Sequence, residues 1–381
     1  MGIKLVALIL AAGFSSRMGQ FKPLLPLGET FVLECAVSLF RKAGVNEILV
    51  VTGYRSFDLD PALRELGVRG IKNNHFQEGM FSSIQAAAQT LDDTVDAFFI
   101  LPVDIPLVRP STVMALIETF QQRGSEVVYP CFLAERGHPP LISGHLVGDI
   151  LRWSGNGGLK ALLAMREERA VEVSVPDENI LLDMDQDNDY RIMKEKAKSL
   201  DIPSEMECQA LMIMFNAEQD ILQHSQVVAD VAVKLGKALS NTRCRQNLDL
   251  LKAAGLLHDI AKGQPHHAER GAEMIRNWGF SAVADVVGVH MDITLDAGQA
   301  IREREILYLA DKLVRGSRLV SISERFRTAQ ERYAGDPEIS GNVARRLNDA
   351  LVIQERIESI IGCPMAVFLE QEDYRRTHAV S

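Results

Sequence analysis

Two groups of residues in the 381-residue chain are of types, and at spacings, that do chemistry. In the first, an apolar run ends in Leu10-Ala11-Ala12-Gly13 and is followed at once by Arg17 and Lys22. Small residues at the end of a strand leave consecutive backbone N–H groups bare, and such groups form a nest for an anion. Arg17 and Lys22 can then neutralise a triphosphate that backbone dipoles alone could not hold. The pattern is neither a Walker loop nor G-x-G-x-x-G. Asp104 follows a second apolar run, 97–101. There it can hold Mg²⁺ against the α- and β-phosphates of a nucleotide, or serve only as a turn residue before Pro106. Asp183 and Asp185, alternating along what reads as a strand end, are either further metal contacts or structural carboxylates.

The second group is rich in imidazole. Five of the nine histidines fall between His224 and His290, and imidazoles are the commonest transition-metal ligands. In order they are His224, His258 (followed by Asp259), His266, His267 and His290, and Asp311 comes after them. Asp311 lies in I-L-Y-L-A-D-K-L, an apolar helical stripe where a carboxylate without a partner would be costly. A metal ion is a suitable partner.

Different elements must position the two groups. Up to about residue 190, short apolar runs at 4–10, 48–52, 97–101, 127–129 and 171–175 read as strands. Helical periods at 31–43, 81–90 and 111–122 alternate with them. That alternation predicts a mainly parallel sheet covered on both faces, with ligands beyond the carboxyl ends of its strands. Beyond Asp201-Ile-Pro-Ser the β-branched runs cease, and long amphipathic helices are expected at 218–239, 248–261, 268–278, 303–316 and 343–361. The reading is a Rossmann-like α/β domain over 1–200 and an all-α domain over 205–381. The charges that follow Ser321 read as a solvated helix face.

Composition narrows the classes of function. Hydrophobic residues at 47% can fill two sizeable cores, and a net charge of −10 argues against a general nucleic-acid binder. The five cysteines form no CxxC pair, which fits a reducing cytoplasm and no zinc-thiolate site. No apolar run approaches the ~20 residues of a membrane span, and the N-terminal run reads as a strand rather than a signal peptide. A cytoplasmic enzyme with no membrane partner is expected.

The longer string L-A-A-G-x-S-x-R-M-G-x-x-K, residues 10–22, resembles the signature of MobA-like nucleotidyltransferases, and within them of the molybdenum cofactor cytidylyltransferases. Glu78-Gly79-Met80-Phe81-Ser82-Ser83, Pro102-Val103-Asp104-Ile105-Pro106, Arg136-Gly137-His138-Pro139 and Leu182-Asp183-Met184-Asp185 resemble later motifs of the family. The resemblance implies CMP transfer from Mg-CTP to a molybdopterin-type cofactor, with release of pyrophosphate. It implies nucleotide contacts at Leu10, Ala11, Ala12, Gly13, Arg17, Lys22, Gly79, Ser82, Ser83 and Asp104. Metal contacts are implied at Asp104 and Asp185, and substrate contacts at His138 and Asn156, with Arg17, Lys22 and Asp104 catalytic. Leu10-Ala11-Ala12-Gly13 points to CTP, since the related guanylyltransferases carry L-A-G-G. Where the family often reads G-D-x-G-x-R, this chain reads Gly155-Asn156-Gly157-Gly158-Leu159-Lys160. That departure falls on the acceptor side. GTP, or a sugar or alcohol phosphate acceptor, is the alternative, and a molybdoenzyme that receives the cofactor is a conceivable partner.

Residues 215–320 resemble the HD-domain pattern H…HD…D, with His258-Asp259-Ile260-Ala261-Lys262 as its core motif. His267 and His290 resemble the extra histidines of members that bind two metals, such as diadenosine tetraphosphate hydrolases. The resemblance implies one ion at His224, His258, Asp259 and Asp311, and a second at His267 and His290 with Asp259 bridging. Mixed imidazole and carboxylate ligands suit Fe, Mn, Co or Zn. Asp259 and Lys262 are then the catalytic candidates of a phosphohydrolase of unspecified substrate. The contrasting reading is a cofactor-binding or insertion module with a sensory, non-catalytic HD domain.

Overall fold

The computed structural model describes residues 2–14, 18–240, 245–295 and 298–370. The chain divides into two compact units, Met1–Leu200 and Asp201–Ser381.

The first unit is built on an eight-stranded sheet. Its main strands are β1 (Leu5–Ala11), β2 (Glu47–Thr52), β3 (Arg69–Lys72), β4 (Ala97–Pro102), β5 (Val127–Phe132), β6 (Leu141–Ser143) and β7 (Ala170–Ser174), in spatial order β7-β5-β6-β4-β1-β2-β3. The two-residue strand Glu135–Arg136 pairs with β5 off this path. Strand β1 lies inside the sheet, and its Val6, Ala7, Leu8 and Ile9 are buried, as a parallel strand covered by helices requires. It runs parallel to β2 and to β4, with Leu10 opposite both Val51 and Pro102. The carboxyl ends of these three strands therefore lie along one edge. Strand β6 runs antiparallel to β4 and β5, so the sheet is mixed. At three residues, β6 is too short to show a period, and the sequence does not announce it. Helices α1 (Val32–Lys42), α2 (Ser56–Leu66), α3 (Met80–Ala88), α4 (Pro110–Arg123), α5 (Val147–Arg152), α6 (Gly158–Ala164) and α7 (Asp187–Lys196) complete the unit. Residues 182–185 form no strand. They are an extended link tied to the site by the bond from Met184 N–H to the Asp104 carbonyl, 3.0 Å.

The second unit is helical: α8 (Glu205–Met214), α9 (Gln219–Ser240), α10 (Leu248–Leu257), α11 (His267–Asn277), α12 (Ser281–Val287), α13 (Glu303–Lys312), α14 (Ile322–Arg332) and α15 (Pro337–Ile361). The 22-residue α9 buries Val228, Val231, Ala232, Leu235 and Leu239, spaced at the helical period. Against it lies α10, and the approach needs a glycine: a Cβ on Gly255 would stand 2.4 Å from Ala229 Cα. Helix α10 ends at Leu257, earlier than the expected 261, because His258 is already its C-cap and a turn follows. Helix α15 begins at Pro337 rather than 343, since the Asp336 carboxylate accepts from the N–H groups of Glu338 and Ile339 and a proline fits the first turn. Helix α13 is buried along its length from Glu305 to Lys312. Among the described residues, no helix is long and apolar enough to cross a membrane.

Candidate functional site

At the carboxyl edge of β1 and β4 the first unit opens a cavity of about 310 Å³. It is lined by eight of the expected residues: Leu10, Ala11, Ala12, Gly13, Lys22, Gly79, Ser83 and Asp104. A Cβ on Gly13 would meet nothing within 4 Å, so the space above this backbone is left free. The floor is fixed from both sides, since Val103 N–H donates to Leu10 O (3.1 Å) and Tyr54 N–H to Ala12 O (3.2 Å). Gly79 carries φ of +99° at the N-cap of α3, a backbone state that only glycine adopts freely. The N-terminus of α3 thereby reaches the cavity, bringing bare N–H groups and the positive end of the helix dipole.

Asp104 and Asp185 meet on one cation. Lys22 Nζ is 3.0 Å from Asp104 Oδ2 and 3.2 Å from Asp185 Oδ1, and the lysine is buried. Asp183 stands close by, and burial together with the charges of Asp185 and Asp104 raises its carboxyl above the usual range. His138 is near the same carboxylates, but burial dominates and pushes its imidazole down. Its Nδ1 is buried without a hydrogen-bond partner. Other expected residues lie elsewhere. Ser82 does not line the cavity: its hydroxyl donates toward the carbonyls of Gly79 and His75 and accepts from Asn73 Nδ2 at 2.8 Å. Asn156 follows α5 and accepts from Trp153 Nε1 through its backbone carbonyl, outside the cavity lining. Arg17 lies outside the described residues.

In the second unit α9, the end of α10, the start of α11, the turn after α12 and α13 bring the imidazoles and two carboxylates together. His224 Nε2 is 3.2 Å from Asp311 Oδ1 and 3.7 Å from Asp259 Oδ2. His258 Nε2 is 3.4 Å from Asp259 Oδ2 and 3.7 Å from Asp311 Oδ1. The other oxygen of Asp259, Oδ1, faces His267 Nε2 at 3.4 Å and His290 Nε2 at 3.8 Å. One carboxylate thus addresses two ligand sets, and the ligand atoms within each of the triads His224-His258-Asp259 and Asp259-His267-His290 lie within 4.8 Å of one another. His266, with φ of +53°, caps α11 and hands the first helical position to His267.

The ring orientations favour metal. Nδ1 of His224, His258 and His290 is 2.9, 2.9 and 2.7 Å from the carbonyls of Gly316, Gly255 and Val287. Each Nδ1–H donates outward, and this fixes Nε2 toward the centre, as outer-shell partners of metal-bound histidines do. Nε2 of both His258 and His290 is buried with no hydrogen-bond partner. Electrostatics point the same way. Burial would push His258 down, but Asp259 and Asp311 outweigh it and hold the imidazole up at about 9. Burial and the neighbouring His258 push His290 down to about 3. Burial favours protonation of Asp259 and Asp311, yet the surrounding cations hold both carboxyls well below the usual range. A centre that draws a proton onto a fully buried imidazole is short of positive charge, and a divalent cation fits that deficit.

Several contributors escaped sequence reasoning. Asn73, buried behind α3, donates to Ser82 Oγ (2.8 Å) and Ser83 Oγ (3.0 Å) and accepts from His75 N–H (2.8 Å), so it sets the loop that ends at Gly79. Phe14, with Tyr54 and Phe76 at 5.3 and 5.1 Å between ring centroids, forms an aromatic group beside the cavity. Lys312 is buried and donates to Asp311 Oδ2 (2.7 Å) and to His290 O (2.9 Å). Arg325, from the segment expected to be a solvated face, has a buried Nε and lines a cavity that also reaches His224. None of these carries a sequence signal, because each acts only through tertiary placement.

Comparisons with known proteins divide the chain in the same way. Residues 7–171 match the family model of the MobA-like NTP transferase domain, and residues 221–316 match that of the HD domain. The chain is 26% identical over 190 residues to the molybdenum cofactor cytidylyltransferase of Escherichia coli (strain K12), covering 50% of this chain and 95% of that protein. It is 34% identical over 120 residues to a molybdenum cofactor guanylyltransferase of Xanthomonas euvesicatoria, covering 30% of this chain and 54% of that protein. A solved nucleotidyl transferase from Methanothermobacter thermautotroptrophicus is 26% identical, with a TM-score of 0.46, covering 52% of this chain and 99% of that one.

Replacing Asn73 with alanine strands the buried hydroxyl of Ser83 and frees the loop to Gly79. The expected loss is about 1–3 kcal/mol of stability, read from the urea midpoint of the full chain. An unchanged midpoint would show that Asn73 does not hold the loop.

Proposed function

We propose that this chain, a MobA-like NTP transferase domain followed by an HD domain, is a two-site enzyme. The first site transfers CMP from CTP to a molybdopterin-type cofactor and releases pyrophosphate. The second hydrolyses a phosphoester. The observation that carries the first half is the juxtaposition of the small-residue Ala11-Ala12-Gly13 turn, open above Gly13, with Lys22, Asp104 and Asp185 at one sheet edge.

In this reading the N–H groups of residues 11–13 receive the triphosphate, and Arg17 and Lys22 neutralise it. Lys22, held between two carboxylates in the structure, is within reach of the phosphates that enter the cavity. Asp104 and Asp185 offer the all-oxygen donor set that suits Mg²⁺, which when bound stabilises the charge that develops as pyrophosphate leaves. Gly79 and Ser83, at the start of α3, bound the cavity on the nucleoside side. Ser82 acts there only through the loop it holds. His138, near Asp104 and Asp183, positions the acceptor rather than acting as a base, since burial lowers its affinity for a proton. Asn156 is assigned to the acceptor as well. The relative in Escherichia coli supports cytidylyl transfer, as does Ala12 in Leu10-Ala11-Ala12-Gly13. The guanylyltransferase relative makes GTP the competing nucleotide.

For the HD domain the observation is the two-sided Asp259. His224, His258, Asp259 and Asp311 would hold one divalent ion, and Asp259, His267 and His290 a second. Fe, Mn, Co or Zn suits these donors and would supply an activated water and a clamp on a phosphoryl oxygen. Lys262, paired with Asp259 and half-exposed, is placed to meet the substrate's phosphate.

Purified protein supplied with Mg-CTP and molybdopterin should release pyrophosphate, and Asp104→Ala should lower the rate by roughly 100-fold or more. Equal release by the two proteins would overturn the assignment. As isolated, the protein should carry a divalent transition metal that His258→Ala loses, with affinity falling by at least about 100-fold. Metal analysis that finds none in either protein would leave the cluster structural.

A further inference from the structure

Arg325 lies in α14, beyond the segment that matches the HD model, in a run of charges with no motif. Its side chain nevertheless lines a cavity of about 440 Å³ together with His224 and Lys262. His224 belongs to the metal-ligand cluster and Lys262 pairs with Asp259 of that cluster, so the cavity borders the cluster through these two residues. Among the described residues, Arg325 Nε is buried with no hydrogen-bond partner. That is unusual in a chain of net charge −10, where acids outnumber bases. A guanidinium is always charged, and a desolvated N–H without a partner costs free energy unless a ligand supplies the acceptor. Its planar fork matches a phosphate.

The rest of the lining limits what else the ligand carries. Phe215, Ile221 and Ile260 give apolar wall, while Glu218 and Asp220 are acceptors for hydroxyl or amino groups. Those two carboxylates also oppose a chain of phosphates, because Arg325 and Lys262 are the only cations in the lining and Lys262 already pairs with Asp259.

We propose that this cavity is the substrate site of the HD domain and that Arg325 is its specificity-determining residue. It receives the phosphate of a phosphomonoester whose organic part bears hydroxyl or amino groups, the class to which nucleoside 5′-monophosphates belong. The proposal rests on the hydrolase reading above. Hydrolysis joins a water oxygen to phosphorus and breaks the P–O bond to the organic part, which leaves as an alcohol carrying a proton from that water. Arg325 takes no proton; it holds the dianion against the cluster.

The test uses the metal-loaded full chain, with inorganic phosphate as probe by calorimetry and nucleoside 5′-monophosphates as substrates. Arg325→Gln should weaken phosphate binding and raise KM by about tenfold or more with kcat nearly unchanged, and Arg325→Lys should restore part of both. Phosphate affinity and KM equal to wild type in Arg325→Gln would overturn the proposal, and phosphomonoester hydrolysis in that variant would leave the hydrolase reading standing. Conversely, phosphate binding that depends on Arg325, without turnover of any phosphoester, would keep the anion site and remove the hydrolase.

Discussion

Carboxylates gathered at one point need a cation among them, and both units of this protein are organised around meeting that need. Two unit charges 4 Å apart interact by about 4 kcal/mol at the effective dielectric of a protein surface, and by more where water is excluded. In the first unit Lys22 meets the need between Asp104 and Asp185. In the second, Asp259 and Asp311 are buried, and His258, Lys262 and Lys312 surround them. The elements that supply these groups come from distant parts of the chain. Residues 22, 104 and 185 meet at one sheet edge, and residues 224, 259 and 311 meet among helices. Such convergence is expensive unless the assembled charges have work to do.

The work follows from what replaces or joins the protein's own cations. At the sheet edge, a lysine between two carboxylates lines the same cavity as the small-residue backbone of Ala11-Ala12-Gly13, so one cavity presents donors suited to an anion and oxygens suited to a hard cation. Among the helices, backbone carbonyls hold three imidazoles by Nδ1 and aim Nε2 inward, and Asp259 offers one oxygen to each side. Asp259 and Asp311 together hold the buried His258 imidazole up against the effect of burial, in keeping with a centre that favours added positive charge.

Sequence made the strand-to-Ala-Ala-Gly transition legible because residue type along one continuous stretch carries it, and the histidine series legible because five of the nine histidines cluster between His224 and His290 beside an HD dipeptide. Asp104 was legible because it directly follows a buried strand. Ser82 and Ser83 could not be told apart in sequence: Asn73 bonds both hydroxyls, but Ser83 lines the cavity while Ser82 turns to the carbonyls of the loop at His75 and Gly79. Asp183 and Asp185 lie on an extended link rather than a strand end, and no pattern distinguishes the two over four residues. Strand β6 was too short to be seen, and Arg325 was indistinguishable from its solvated neighbours until α14 placed it over the cavity.

The central claim is that each gathering of carboxylates is a cation site that serves phosphate chemistry. Anomalous diffraction from crystals of the full chain grown with Mn²⁺ and CTP tests it most directly. The account predicts manganese beside Asp104 and Asp185, with the triphosphate on the backbone of residues 11–13, and manganese among His224, His258, Asp259 and Asp311. Nucleotide bound away from residues 11–13, or no anomalous peak at either gathering, would contradict it.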